Sequence, residues 1–217
     1  MTKTKGLLVM DVDSTLIQEE GIDLLGEIAG SGAEIADITS RAMNGELDFA
    51  EALDARVALL KGLPETVFTD LRRQIHFTDG ARDLVETLHD NGWKIGVVSG
   101  GFHETVDMLA KELGIDYVRA NHLAVENGHL TGRVTGDIVT KDVKLASLKA
   151  WSRELELDLS QTVAMGDGAN DLPMILSAGV GIAFNAKPIV RKQAPYQINE
   201  PNLALALDII TEVRGGL

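Results

Sequence analysis

Gly6-Leu7-Leu8-Val9-Met10-Asp11-Val12-Asp13-Ser14-Thr15 joins an unbroken apolar run to two carboxylates set two residues apart. A short run with no polar interruption is the pattern of a strand covered on both faces, as in a parallel sheet. The aspartates then fall where that strand emerges into a loop, the end at which open α/β sheets bind ligands. Much later in the chain the arrangement returns, with Thr162-Val163-Ala164-Met165 leading into Gly166-Asp167-Gly168-Ala169-Asn170-Asp171. If the two runs are parallel neighbours, Asp11, Asp13, Asp167 and Asp171 converge. Such a cluster repels itself unless a cation is bound or the carboxylate pKa values rise. A divalent metal is therefore expected, and with it phosphate chemistry.

Between these two landmarks the apolar spacing changes from strand-like to helical. Ile22, Leu25 and Ile28 form one stripe, Ile35, Ile38 and Ala42 a second, and Phe49, Leu53, Val57 and Leu60 a third. Asn44-Gly45 and Gly62-Leu63-Pro64 punctuate the helices, through the turn chemistry of Gly and the helix-stopping effect of Pro. From Thr78 onward the pattern alternates. Trp93 to Val98 reads as a strand, Phe102 to Leu113 and Asp142 to Leu155 as helices, and Leu123 to Leu130 as a hairpin around Asn127-Gly128. Thr162 to Met165 and Val180 to Phe184 read as further strands, with a helix from Asp171 to Ala178 between them. The expected fold is α/β: a Rossmann-like parallel sheet core from residues 1–15 and 77–217, with a small helical-bundle cap at 16–76 inserted after the first strand. A cap inserted there lies over the ligand crevice, where it excludes water and reads the substrate.

Composition narrows the partners. The 217 residues carry 20 Lys and Arg against 33 Asp and Glu, a formal charge of −13, and no basic run appears. A nucleic-acid partner is not expected, because neutralising backbone phosphates needs a basic face. Most of the surplus acid reads as solvated surface. The chain has no cysteine, which excludes disulfides and thiolate metal sites. No stretch approaches the roughly twenty apolar residues of a membrane span, and no signal peptide is evident. The expectation is a cytoplasmic protein, monomer or homodimer, acting on a small molecule and not at a membrane. The chain begins close to its first strand, so no regulatory domain ahead of it is expected.

Asp11-x-Asp13-x-Thr15 after the first strand, Ser99-Gly100-Gly101 after a later one, Lys144 near the start of a helix and Gly166-Asp167-Gly168-x-Asn170-Asp171 after the next strand occur in one order. That ordered set resembles the haloacid dehalogenase (HAD) superfamily of phosphotransferases. Gly-Glu-Leu-Asp-Phe at 45–49, Arg-Val-Ala-Leu-Leu-Lys at 56–61 and Ala186-Lys187-Pro188 extend the likeness over nearly the whole chain. The resemblance implies hydrolysis of O-phosphoserine to serine and phosphate, the last step of serine biosynthesis, with Mg²⁺ as cofactor. It implies that Asp11 is the nucleophile, forming an aspartyl-phosphate, and that Asp13 is the general acid and base. The metal would be held by Asp11, the backbone carbonyl of Asp13 and Asp167, with Asp171 orienting them from behind. Lys144 would offset the charge of Asp11 and of the phosphate. Ser99, Gly100 and Asn170 would hold phosphate or substrate.

The residues themselves agree with this chemistry. A carboxylate attacking a phosphomonoester brings an anion against a dianion, so positive charge must be supplied first. An oxygen-rich site without Cys or clustered His suits Mg²⁺ better than zinc. Lys144 at a helix start opposes the helix dipole, which favours a functional over a stabilising role. In the cap, Arg56 can grip a carboxylate and Glu20 an ammonium, the two charges of an amino acid. Met43 and Phe49 are expected to seal the pocket. Duller readings stand beside these: Arg56 and Glu20 as exposed helix charges, Met43 and Phe49 as bundle core, and Lys141 in place of Lys144. Alternatives at the level of function are transfer to another alcohol such as homoserine, another small phosphate ester, and a signalling module merely phosphorylated at Asp11. Asn185, after the Ile182-Ala183-Phe184 strand, departs from the family pattern without an evident role.

Overall fold

The structure, a computed structural model, describes residues 4–43 and 46–217, with Met43 described by its backbone alone. The apolar run at the N-terminus forms strand β1 (Gly6–Met10), with all five residues buried. It lies in the middle of a seven-stranded sheet. On one side are β2 (Trp93–Phe102), β3 (Tyr117–Glu126) and β4 (His129–Thr135); on the other are β5 (Thr162–Gly166), β6 (Val180–Phe184) and β7 (Tyr196–Ile198). The order is β4-β3-β2-β1-β5-β6-β7, and every neighbouring pair is parallel except β3 and β4. That hairpin turns at Asn127 and Gly128, both at positive φ (52° and 75°), the backbone an Asn-Gly type I′ turn requires.

Alternate residues along each strand feed two cores, as the period of two demands. Leu8, Met10, Ile95, Val97, Met165, Ile182 and Phe184 face α5 (Ala81–Asp90), α6 (His103–Leu113) and α10 (Ala206–Arg214), meeting Leu88, Leu109 and Ile210. Leu7, Val9, Val98, Ala164 and Ala183 face α7 (Lys141–Glu154), α8 (Leu172–Ser177) and α9 (Pro188–Gln193), meeting Leu148, Ile175 and Val190. Burial on both faces explains why these strands read as continuous apolar runs.

Between β1 and α5 the chain forms α1 (Gly21–Ala29), α2 (Gly32–Met43), α3 (Phe49–Ala58) and α4 (Val67–Arg72). Leu25, Ile35, Leu53, Val57 and Leu60 are buried among them, from all three expected stripes. α3 starts at a capping box, in which Asp48 accepts from the Glu51 N–H (2.8 Å) and Glu51 accepts from the Asp48 N–H (3.2 Å). Asn44-Gly45, expected as a turn, lies outside the described residues. The turn at 62–65 is bonded to the hairpin: Gly62 N–H to Leu130 O (2.8 Å), Leu130 N–H to Leu63 O (2.9 Å) and Glu65 N–H to Gly128 O (2.8 Å). β4 approaches so closely that a Cβ on Gly132 (φ +79°) would sit 3.2 Å from Ala58 O. α3 is thereby seated on the edge of the sheet.

Three expectations shift in detail. β2 runs on to Phe102, so Ser99-Gly100-Gly101 belongs to an irregular strand end, with a register slip between Val98 and Phe102. Lys144 is the fourth residue of α7, with Thr140 as its cap. Asn185 stands at φ +40°, a left-handed position that Asn tolerates better than most residues, and its N–H reaches Ile198 O at 2.7 Å. Backbone geometry therefore accounts for an asparagine there. Among the described residues, no helix is long and apolar enough to cross a membrane.

Candidate active site

β1 and β5 are direct neighbours, with Met10 beside Met165. The Asp11 N–H bonds to Met165 O (3.0 Å), so the first residue past β1 is pinned to β5 and Asp11 faces the Gly166–Asp171 loop. The chain then makes a wide turn over Val12–Leu16, with Ser14 left-handed at φ 55°. That turn carries Asp13 back toward the cap and β2. Its Oδ1 accepts from the Gly21 N–H at the start of α1 (2.7 Å), and its Oδ2 accepts from Ser99 Oγ (3.0 Å).

Lys144 is the largest charged side chain in the interior, at 0% exposure. Its Nζ lies 2.7 Å from Asp11 Oδ2 and 2.7 Å from Asp171 Oδ1. Burial alone would lower the pKa of this ammonium, but Asp11 and Asp171 outweigh burial and raise it, so Lys144 is charged. Lys141 is exposed and takes no part. Burial and the Asp11 charge push Asp171 upward, while Lys144 and the Gly168 N–H hold it down. Both of its oxygens already accept a hydrogen bond, one from Lys144 and one from Gly168 (3.0 Å), and the ionised carboxylate fits that geometry.

Asp11, Asp167 and Asp171 each present an oxygen within 4.8 Å of the others, a spacing compatible with one cation. The donors are all carboxylate oxygens, which suits a hard divalent ion. Burial, then the Asp11 charge, raises Asp167 to about 6, so these oxygens are short of positive charge. Asp171 has both oxygens engaged by the protein, by the Lys144 ammonium and by the Gly168 N–H. Burial first, with the Asp11 charge added, raises Asp13 to about 6, against the opposing bonds from Gly21 and Ser99. A carboxyl so poised exchanges protons near neutrality.

One pocket opens over these groups. Asp11, Asp13, Gly100, Gly101, Asp167 and Asn170 line it from the ends of the strands; Glu20, Phe49 and Arg56 line it from the segment of α1 and α3. Glu20 accepts from Ser14 Oγ (2.6 Å), and burial with the Asp13 charge raises it to about 7. Arg56 donates from Nε to Ala52 O (3.1 Å), and burial lowers its pKa. Phe49 is 41% exposed and touches the space above Gly100, so its side chain faces the pocket rather than the bundle core. Ser99 is fully buried and spends its hydroxyl on Asp13 while accepting from the Gly101 N–H (2.8 Å); it faces Asp13 and not the pocket. The side chain of Met43 lies outside the described residues. Lys187, which the sequence offers only as part of the Ala186-Lys187-Pro188 likeness and with no site role, lines the pocket with its Nζ 3.8 Å from Asp167 Oδ2. A cation just after β6, in the Ala186-Lys187-Pro188 segment, is the one sequence signal of that placement.

The family of haloacid dehalogenase-like hydrolases matches residues 8–176, and the chain belongs to it. At the next level of detail its relatives are phosphoserine phosphatases. One from Streptococcus thermophilus is 67% identical over 213 residues, spanning 98% of this chain and 99% of that protein. Another from Lactococcus lactis is 58% identical over 209 residues, spanning 96% and 97%. A solved phospho-aspartyl intermediate analogue of a phosphoserine phosphatase superposes with a TM-score of 0.89 at 40% identity, covering 95% of this chain and 99% of that one. A substrate-bound phosphoserine phosphatase superposes equally well, with a TM-score of 0.89 at 39% identity over 96% and 99%.

Proposed function

We propose that this chain hydrolyses O-phosphoserine to serine and inorganic phosphate, through an aspartyl-phosphate on Asp11, as the last step of serine biosynthesis in the cytoplasm. The observation that carries the reading is the pairing of Asp11, held against the buried ammonium of Lys144, with Asp13, whose proton is poised near neutrality, in a pocket that also presents Glu20 and Arg56. The similarity to phosphoserine phosphatases along the full length of the chain supports the choice of substrate.

Residues 16–76 act as the cap over a core of 1–15 and 77–217. In the cap, Arg56 grips the substrate carboxylate and Glu20 its ammonium, while Phe49 shields the pocket. A carboxylate oxygen of Asp11 forms the new bond to phosphorus as the bond from phosphorus to the seryl oxygen breaks. Asp13 gives its proton to that departing oxygen. In the second half Asp13, now ionised, takes a proton from water as the water oxygen attacks phosphorus, and Asp11 is released. The Gly100 N–H and Asn170 hold phosphoryl oxygens, with Ser99 keeping Asp13 in place. Asp11, Asp167 and the Asp13 carbonyl would hold Mg²⁺, which would supply positive charge against the two reacting anions. Lys144 and Lys187 neutralise what remains.

The test is a panel of small phosphate esters assayed with Mg²⁺ and again with a chelator, with products identified in the presence and absence of homoserine. Release of phosphate from phosphoserine far above the other esters, lost with the chelator, is the expected result. Equal rates on all esters, or transfer to homoserine in preference to water, would overturn the reading.

A further inference from the structure

Gly96, Val97 and Val98 of β2 stand in register with Tyr117, Val118 and Arg119 of β3, and pairing resumes only at Phe102 beside Asn121. The carbonyl of Gly100 lies in the interrupted stretch and receives its hydrogen bond from a side chain: Asn121 Nδ2 donates to it at 2.7 Å. The same amide turns its Oδ1 the other way and accepts from the Val139 N–H at 2.8 Å. Asn121 is 1% exposed. Because one partner only accepts and the other only donates, the orientation of the amide is fixed.

The two segments it joins both lead into the site. Gly100 lines the pocket. Val139 precedes Thr140, the cap of α7, whose carbonyl accepts from the Lys144 N–H at 3.0 Å. A single buried amide therefore spans from the irregular end of β2 to the residue just before the cap of the helix that carries Lys144. No backbone ladder performs this task, since the strand pairing is broken at that level.

We infer that Asn121 is a positioning residue for phosphoryl transfer: it fixes the Gly100 backbone relative to Lys144, so that the Gly100 N–H and the Lys144 ammonium converge on one phosphoryl group. The inference rests on the phosphatase reading above. It does not depend on which ester is the substrate, because Asn121 bonds to the backbone of Gly100 and Val139 and not to Arg56 or Glu20. A displacement of about 1 Å at such a site costs about a hundredfold in rate.

The experiment compares wild type with N121A and N121D at a temperature where circular dichroism shows all three folded. N121D keeps the acceptor for the Val139 N–H; ionised it has no donor for Gly100 and adds a charge, and protonated it donates as Asn does. Its loss in kcat relative to wild type should therefore grow as pH rises, and this reading decides the question if N121A does not fold. With Mg²⁺, kcat is expected to fall about tenfold to a hundredfold on phosphoserine and on p-nitrophenyl phosphate alike, with KM for phosphoserine nearly unchanged. Calorimetry should show weaker binding of inorganic phosphate, while Mg²⁺ binding without phosphate stays within about twofold. S152A, which removes a buried hydroxyl bonded to Lys149 O (3.1 Å), controls for a loss of stability and should leave kcat unchanged. Folded variants with wild-type kcat and phosphate affinity would overturn the inference. A wild type that cleaves the aryl ester but not phosphoserine overturns the substrate assignment instead, and the aryl ester and phosphate measurements still decide the role of Asn121.

Discussion

Replacing Lys144 by Met keeps the length of the side chain and removes its charge. The ammonium is wholly buried, 2.7 Å from an oxygen of Asp11 and 2.7 Å from one of Asp171. At an effective dielectric of about 20, each contact at that distance is worth about 6 kcal/mol before desolvation is counted. Desolvation of the three charges offsets most of that gain. What decides the outcome is that the variant leaves two buried carboxylates without their partner, an imbalance that costs about 3–5 kcal/mol. For a chain of this size about 1 kcal/mol moves the melting temperature by about 2–4 °C, so K144M should melt about 6–20 °C below wild type without metal. Added Mg²⁺ restores positive charge at the same carboxylates, so it should raise the melting temperature of K144M by more than that of wild type. Turnover should fall by about a hundredfold or more, as expected when preorganised charge is removed from the transition state. Differential scanning calorimetry with and without Mg²⁺, alongside kcat, reads all of these. A metal-free K144M melting within about 2 °C of wild type would refute the claim that this lysine neutralises the cluster. The exposed neighbour provides the control, with K141M expected to change stability by less than about 0.5 kcal/mol.

D11N should abolish turnover and keep the wild-type far-ultraviolet circular dichroism; appreciable phosphate release from that variant would remove Asp11 as nucleophile. R56A should lose about 10- to 100-fold in kcat/KM on phosphoserine, the worth of a charge-assisted contact, and little on an aryl phosphate lacking a carboxylate. Equal losses on both would argue against carboxylate recognition. Asp116 offers a prediction in pH. Burial alone would raise its pKa, but the bonds from Lys94, His89 and the Ile95 N–H outweigh burial and lower it. A depressed folded pKa stabilises above the unfolded value, about 3.9, and that contribution fades as pH falls through the folded value. The melting difference between wild type and D116N should therefore be full at neutral pH and shrink below about pH 4; a difference growing with acidity would contradict the assignment.

The parts of the molecule legible in the sequence are those encoded locally. Leu7 to Met10 and Val163 to Met165 are apolar without a break because both faces of their strands are covered. Asn127-Gly128 announces its hairpin because few other pairs accept two positive φ angles in succession. The aspartates at 11 and 167 sit where those strands end. What stays hidden depends on contacts between distant segments. Nothing around Ser99 indicates that its hydroxyl turns inward to Asp13, since that direction is set by the register slip against β3. Asn121 reads as an ordinary polar residue at a strand position until the Gly100 carbonyl beside it loses its ladder partner. Lys187 is one charge among many surface lysines until the β6 turn aims it at Asp167.

The central place of β1 constrains how the molecule comes into being. Gly6 pairs with Trp93 and Leu7 with Thr162, so the N-terminal strand must wait through most of synthesis before both its edges are occupied. Parallel pairings across such separations are slow to form, because loop closure must precede any reward. The carboxylates are consequently held apart in the nascent chain and meet only when β5 docks. Competence for chemistry arrives only once β5 has paired with β1, and a ribosome-bound fragment ending before residue 162 lacks it.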